Sequence, residues 1–326
     1  VKIIKHITHQ SIDCLFKTAF GDDIQFVWMT TPLDLSKHDP RYAFCEPIFT
    51  SGIDNLDAYI DTKIEYDWVI IDNPTSMELA KQLKAKHYLF YIHSYKHDDA
   101  LISDLIKLND KTPIVAVAPS RHKKGTFKGY FPISSNDCKV IWPAVWDGIF
   151  EAKRGEPNGR ILLITNNLHN RVEMYPDSME YINPLFAKYG DLIDVYGRNT
   201  DSSRSNGMIW KPHAKGLCKD IRTLCNYQVA VFPLVHYSPA IAMLDCMAMG
   251  IPVVTTIREG FANEDGDGFY AASNPVDFCN YVGMLIKTDA KQRGITAKIY
   301  AEAIYNTGYW CRDIKEFMRR YDENVC

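Results

Sequence analysis

No run in this 326-residue sequence stays apolar for the ~18–20 residues that a bilayer-spanning helix needs, so no transmembrane segment is expected. Neither charge dominates. The 37 Lys and Arg stand against 40 Asp and Glu, a net charge of −3, which gives no long-range pull toward nucleic acid or an acidic membrane. The nine cysteines, at positions 14, 45, 138, 218, 225, 246, 279, 311 and 326, are scattered singly with no Cys-x-x-Cys pair. Such an odd, dispersed set predicts reduced thiols in a reducing compartment and argues against a zinc site. No Gly-x-Gly-x-x-Gly follows a strand-like run, which disfavours a dinucleotide-dependent dehydrogenase. His and carboxylates do not recur at metal-ligand spacing, and no bound metal is expected. Residues 1–7, VKIIKHI, read as a strand with lysines in it rather than as a signal peptide. These absences predict a soluble protein of the cytoplasm, or of a host cytoplasm if the chain is viral.

What is present is alternation. With 46% apolar residues the chain can bury a large core and is long enough for two domains. Strand-like runs at 1–8, 23–31, 66–72, 87–93, 113–119 and 139–145 are separated by helix-like ones at 11–20, 56–63, 73–84 and 98–108. Asn73 followed by Pro74 is a good helix opening. Residues 32–53 read as loop, and 121–131 as a basic loop. Across 147–159 the composition turns polar, with three glycines, as an interdomain linker would. The pattern then restarts, with strands at 160–165, 192–196, 229–233 and 252–256. Helices are expected at 177–189, 215–224, 275–286, 289–305 and 310–321. Alternation of this kind predicts an α/β fold of two parallel-sheet domains, 1–147 and 148–309.

The most informative stretch is 228–256, QVAVFPLVHYSPAIAMLDCMAMGIPVVTT. It reads as a buried strand, a helix of small and apolar residues ended by Gly250 and Pro252, and a second strand. In an open parallel sheet, ligands lie beyond the carboxyl ends of the strands, which puts His236, Tyr237 and Ser238 at the mouth. The following helix N-terminus favours a phosphate. Asp245 is an acid in an apolar run; a buried carboxylate needs donors, and a ribose diol supplies two.

This stretch resembles the donor-binding signature of GT-B fold nucleotide-sugar glycosyltransferases. The large retaining subgroup has a Glu, seven residues, a second Glu, then Ala-Met-Ala-x-Gly-x-Pro-Val-Val. Asp245 stands at the second acid, which in that subgroup holds the donor ribose, and residues 246–254, CMAMGIPVV, follow closely. Tyr237 stands where the first acid would be. The resemblance implies two Rossmann-like domains facing a central cleft, with the final helix, 310–326, returning to the N-terminal domain. It also implies a nucleoside diphosphate sugar as donor, a UDP-sugar above others, with no bound cofactor and a hydroxyl acceptor.

Further candidates follow from position. After strand 160–165, Asn167 and Arg171 lie in the loop from which such enzymes present a basic group to the diphosphate; the planar fork of Arg171 suits two phosphate oxygens. Gly197-Arg198 ends another strand and offers a second phosphate ligand. Lys215 falls in a segment that packs beside the nucleotide base in related enzymes. Asp13 reads either as a sugar ligand or base, or as a favourable first-turn acid behind an N-cap Ser11. At the end of strand 87–93, His93 is the preferred base for the acceptor hydroxyl and Asp98 the next, since an imidazole titrates near operating pH. Arg121, Lys123 and Lys124 suit an anionic acceptor, DNA phosphates included, or are simply solvated charge. Residues 66–93 and the Leu-Asp-Cys-Met-Ala motif also bear a weaker similarity to phage DNA glucosyltransferases, so the acceptor is read as a surface glycan or hydroxymethylated DNA. The competing readings are a GT-B-like epimerase or hydrolase of nucleotide-sugars and a non-catalytic nucleotide- or sugar-binding module.

Overall fold

Runs that are apolar on both sides, such as 66–71 and 114–118, pair as parallel strands, because crossover helices cover both faces of the sheet they form. The computed structural model describes residues 1–7, 10–27, 60–92, 99–165, 168, 176–197, 213–234, 241–256, 268–288 and 290–323. They divide into two units, one of Val1–Pro143 with Thr307–Cys326 and one of Ala144–Asn306.

In the first unit the strands are β1 (Ile3–His6), β2 (Ile24–Val27), β3 (Glu65–Ile71), β4 (Lys84–Tyr91), β5 (Ile114–Ala118) and β6 (Cys138–Val140). They form one parallel sheet in the order β2-β1-β3-β4-β5-β6. Between them run α1 (Gln10–Phe20), α2 (Pro74–Gln82), α3 (Asp99–Asn109) and α4 (Arg121–Tyr130). Asn73 caps α2 through a reciprocal box: its side chain accepts from Ser76 N–H at 2.8 Å, and the Ser76 hydroxyl accepts from Asn73 N–H at 2.9 Å.

The second unit holds α5 (Asp147–Phe150), β7 (Ile161–Ile164), α6 (Ser178–Tyr189), β8 (Ile193–Tyr196), β9 (His213–Gly216) and β10 (Val229–Phe232). It continues with α7 (Ile241–Ala248), β11 (Val253–Thr256), β12 (Phe269–Ala272), α8 (Pro275–Lys287) and α9 (Ala290–Ile304). The sheet is again parallel, in the order β12-β11-β10-β7-β8-β9. The last helix, α10 (Thr307–Arg319), packs in the first unit, where Trp310 meets Phe16 of α1 edge to face with ring centroids 5.0 Å apart.

Several expectations need correction. Residues 215–224 are not a helix: β9 occupies 213–216, and only Ile221–Leu224 turns, as a short 3-10 helix. The polar alternation of β9 fits an edge strand exposed on one face. Residues 121–131 are not a loop, because Ser120 caps α4 and Phe127 and Phe131 anchor it in the core. Residues 60–63 form no helix, the rest of the 56–63 expectation lying outside the described residues. Strand 139–145 shrinks to β6, and β12 was not anticipated.

Helix α7 is buried from Met243 to Ala248 and closes in a Schellman turn. Gly250 N–H donates to Met247 C=O and Ile251 N–H to Cys246 C=O, both at 2.9 Å, with Gly250 at φ 79°. Helix α9, with Gly294, Ala297 and Ala301 buried, packs against α7. A Cβ on Gly294 would strike the Gly250 carbonyl oxygen and the Arg154 guanidinium. Arg154 donates to the carbonyls of Gly250, Ala290 and Tyr227, tying three segments at the end of α7. Gly294→Ala therefore overpacks this contact and lowers the stability of the second unit by about 1–3 kcal/mol, read from urea denaturation. An unchanged midpoint would mean that α9 does not approach α7 so closely.

Candidate functional site

In a doubly wound sheet the ligand crevice opens where strand order reverses. In the second unit the chain runs outward from β7 through β8 to β9, then returns to β10 on the other side of β7. The reversal therefore falls between β7 and β10. The residues that follow these two strands, 166–171 and 235–240, carry Asn167, Arg171, His236, Tyr237 and Ser238. All five lie outside the described residues, as does Arg198. Gly197, at the end of β8, adopts φ 148°, a conformation that glycine takes without a steric penalty.

After the β10 loop comes α7 with Asp245. This carboxylate is fully buried on a helix whose other residues from Met243 to Ala248 are apolar. Removing a carboxylate from water is costly unless donors meet it, so a buried acid on this helix has to be met by polar partners.

Lys215 stands elsewhere. Its ammonium is 3.5 Å from Asp194 Oδ1, near the amino ends of the strands, away from the edge where β7 and β10 finish. Asp194 is buried and gripped by Arg160 through two hydrogen bonds of 2.7 Å, with the Tyr227 hydroxyl donating at 2.7 Å. Burial pushes the Asp194 carboxyl up, but the Arg160 and Tyr227 hydrogen bonds and the Arg160 and Lys215 charges outweigh it and bring it to about 2. Lys215 thus belongs to an ionic cluster with Asp194 and Arg160 near the amino ends of the strands.

In the first unit the reversal falls between β1 and β3. A lysine sits there with no exposed surface. Lys5 Nζ pairs with Asp13 Oδ1 at 2.6 Å and Asp72 Oδ2 at 2.7 Å, and donates to the His6 carbonyl at 3.0 Å. Burial alone would lower the Lys5 pKa; the Asp13 and Asp72 charges and hydrogen bonds outweigh it and hold it above its ordinary value. Asp72 is fixed further by Ser76, whose hydroxyl lies 3.2 Å from Oδ1 and accepts from Asp72 N–H at 2.8 Å. Asp13, read either as a sugar ligand or base or as a first-turn acid, stands in the first turn of α1, fully buried and paired with Lys5. Sequence reasoning passed over Lys5 and Asp72. Their signal was a charged residue inside or ending an apolar strand, in VKIIKHI and YDWVIID.

Strand β4 ends at the buried Tyr91, with the buried Ile92 after it. Burial and the Asp72 charge raise the Tyr91 phenol pKa. His93 and Asp98 come directly after and lie outside the described residues. One strand further, α4 brings forward the basic residues: Arg121 is exposed, Lys124 half-buried with its ammonium donating to Ser135 C=O at 3.0 Å, and Lys123 is buried against expectation. Among the described residues no group of three or more His, Cys, Asp or Glu is placed to hold a metal ion, and no helix is long and apolar enough to cross a membrane. Cys14, Cys138, Cys218, Cys225, Cys246, Cys279 and Cys311 are free thiols.

Two six-stranded parallel sheets, each with its helices, agree with the GT-B fold of solved glycosyltransferases. Sucrose-phosphate synthase from Thermosynechococcus elongatus superposes with a TM-score of 0.68 at 11% identity, over 98% of this chain and 99% of that one. HepE from Anabaena, solved in complex with UDP, gives 0.64 at 11% identity, over 98% and 100%. TarM gives 0.61 at 16% identity over 77% of this chain, which spans only 54% of the length of TarM. No protein-family model matches the sequence, and no curated protein matches it.

Two outcomes test the buried cluster. Lys5→Met leaves Asp13 and Asp72 buried without their cation and destabilises the first unit by about 3–5 kcal/mol in urea denaturation; a near-neutral change would show that the carboxylates find other partners. His6, buried beside Lys5, has its pKa lowered from 6.5 to about 4, chiefly by desolvation, with Asp72 opposing and Lys5 adding. Because the folded value lies below the unfolded one, the unfolded chain binds more protons between them, and stability falls as pH drops through that window. From about pH 7 to about pH 5 the urea midpoint of His6→Gln should therefore fall less than that of the parent. Equal slopes would remove His6 from the account.

Proposed function

We propose that this chain transfers a sugar from a nucleoside diphosphate sugar, a UDP-sugar above others, to a hydroxyl acceptor. The observation that carries this reading is the strand reversal in the second unit. The segments that follow β7 and β10 hold Asn167, Arg171, His236, Tyr237 and Ser238, and the next helix holds the buried Asp245. Support comes from the GT-B fold and from neighbours of that fold, among them HepE, which is solved with UDP and with UDP and glucose.

In this reading Asp245 accepts the ribose hydroxyls, and Arg171 and Arg198 face the diphosphate. His236, Tyr237 and Ser238, at the approach to α7, contact the phosphate and sugar. His93, with Asp98 in reserve, takes the acceptor proton. The acceptor oxygen bonds to the anomeric carbon as the bond to the diphosphate oxygen breaks, and the departing charge is met by arginine and backbone N–H groups. Asp13 and Lys215 drop out of the reacting set because their charges are spent on Lys5 and Asp194. On the acceptor side Arg121 and Lys124 remain, with Lys123 packed beneath them. A glycan acceptor suits this arrangement. The short similarity of residues 66–93 to phage DNA glucosyltransferases has no counterpart among the neighbours named above.

Thermal shift with UDP, GDP, CDP, ADP, dTDP and their sugars tests the donor. A ligand at about 100 times its Kd adds roughly 2.7 kcal/mol, a rise of several degrees. One diphosphate should stand out, and silence across the panel would sink the transferase reading. Asp245→Asn keeps the shape of the side chain and removes its charge, and should abolish that shift; a retained shift takes Asp245 out of the donor site. His93→Ala should keep the shift but lose transfer.

A further inference from the structure

Helix α4 violates two local rules at once. Its first turn is cationic, Arg121 to Lys124, where acids would complement the positive end of the helix dipole. It also carries Gly125 and Gly129 in its interior, and glycine is a poor helix former. Neither glycine is explained by packing, since a Cβ at either position would meet nothing within 4 Å. Local rules broken without a structural return are expected where a partner binds.

The geometry of the helix shows what the partner meets. Phe127, Phe131 and Lys123 face the core. Arg121, Lys124 and Lys128, at i, i+3 and i+7, form one row on the outer side, spread over about 10 Å of helix. Gly125 and Gly129, at i+4 and i+8, form the adjoining row, bare backbone open to solvent. Among the described residues none of the three cations has an ionic partner: Lys124 and Lys128 rest on the carbonyl and hydroxyl oxygens of Ser135 at 3.0 and 2.5 Å. No Asp or Glu occurs between Asp110 and Asp137. In a chain of net charge −3, this face is a local reversal of sign.

We propose that the outer face of α4 is the docking surface for an anionic saccharide chain. Its repeated sulfate or phosphate ester groups pair with Arg121, Lys124 and Lys128, while its sugars lie against the bare backbone at Gly125 and Gly129. A single-stranded nucleic acid fits less well, because such strands are held by stacking on aromatic rings, and the exposed ring of this helix, Tyr130, lies half a turn from Arg121. Calling the bound chain an acceptor rests on the transferase reading; the docking itself does not.

The test is fluorescence anisotropy with a labelled sulfated heparin-type oligosaccharide, an uncharged oligosaccharide of equal length and a single-stranded oligonucleotide. The sulfated probe should bind saturably and weaken by roughly tenfold or more from about 50 to about 200 mM salt. The variant R121Q/K124Q/K128Q should lose about tenfold in affinity, glutamine being a good helix former so that the fold is kept. The variant G125A/G129A is the sharper arm. Alanine fills open space and favours helix, so its melting temperature should rise while its affinity for the sulfated probe falls; a merely structural role for the glycines predicts no loss of binding. Absence of binding, affinity unchanged in both variants, or tighter binding of the oligonucleotide would each overturn the proposal. UDP thermal shift on the same preparation reports separately on the transferase reading, so the failure of one is not mistaken for the failure of the other.

Discussion

Parallel pairing is the constraint that shapes both sheets and everything attached to them. A parallel ladder cannot be closed by a tight turn, so each strand must return through a crossover, and every strand of a sheet then ends at the same edge. Both sheets here obey this, and each reverses its direction of growth once, between β1 and β3 and between β7 and β10. In doubly wound sheets the connections leave in opposite directions at such a reversal, which is where ligands bind in folds of this kind. The strands themselves are packing: Trp68, Val69, Ile70 and Ile71 in β3 and Ile161, Leu162 and Leu163 in β7 have almost no exposed surface.

Charged groups inside such a scaffold have to be compensated, and the two units do so differently. Within β1 a lysine holds two carboxylates, a tightly closed arrangement that fixes the entries to α1 and α2. Near the start of β8 an aspartate is held by an arginine and a tyrosine, which binds three strands at their amino ends. Asp245 is a third buried acid, on the apolar helix that follows β10. The first two clusters consume their charge in folding. That is why Asp13 and Lys215, both plausible as site residues from their place in the chain, do not serve as reactive groups in the proposed mechanism.

Much of the fold was legible because its signals are local. Apolar runs marked β3, β4, β5, β7 and β10, Asn73-Pro74 marked the start of α2, and Gly250 with Pro252 marked the end of α7. The misreadings came where local and tertiary signals conflict. Residues 213–216 are too polar to look like a strand, and they are one only because β8 offers them a ladder at the sheet edge. Residues 121–130 look like a loop for their glycines and charges, yet Ser120 and the buried pair Phe127 and Phe131 hold them helical.

The sequence by itself determined the alternation of strand and helix, the α/β class, and the small-residue helix ending in Gly250 that carries Asp245. These depend on periodicity, capping and turn chemistry, which act over a few residues. The tertiary structure decided which charges remain for function. Lys5 meets Asp72 across 67 positions and Arg160 meets Asp194 across 34, and pairings over such separations leave no periodic trace in a sequence. It also decided that the basic segment 121–130 presents its cations in one row beside open glycines, since only a helix seated on the core by Phe127 and Phe131 turns Arg121, Lys124 and Lys128 to the same side.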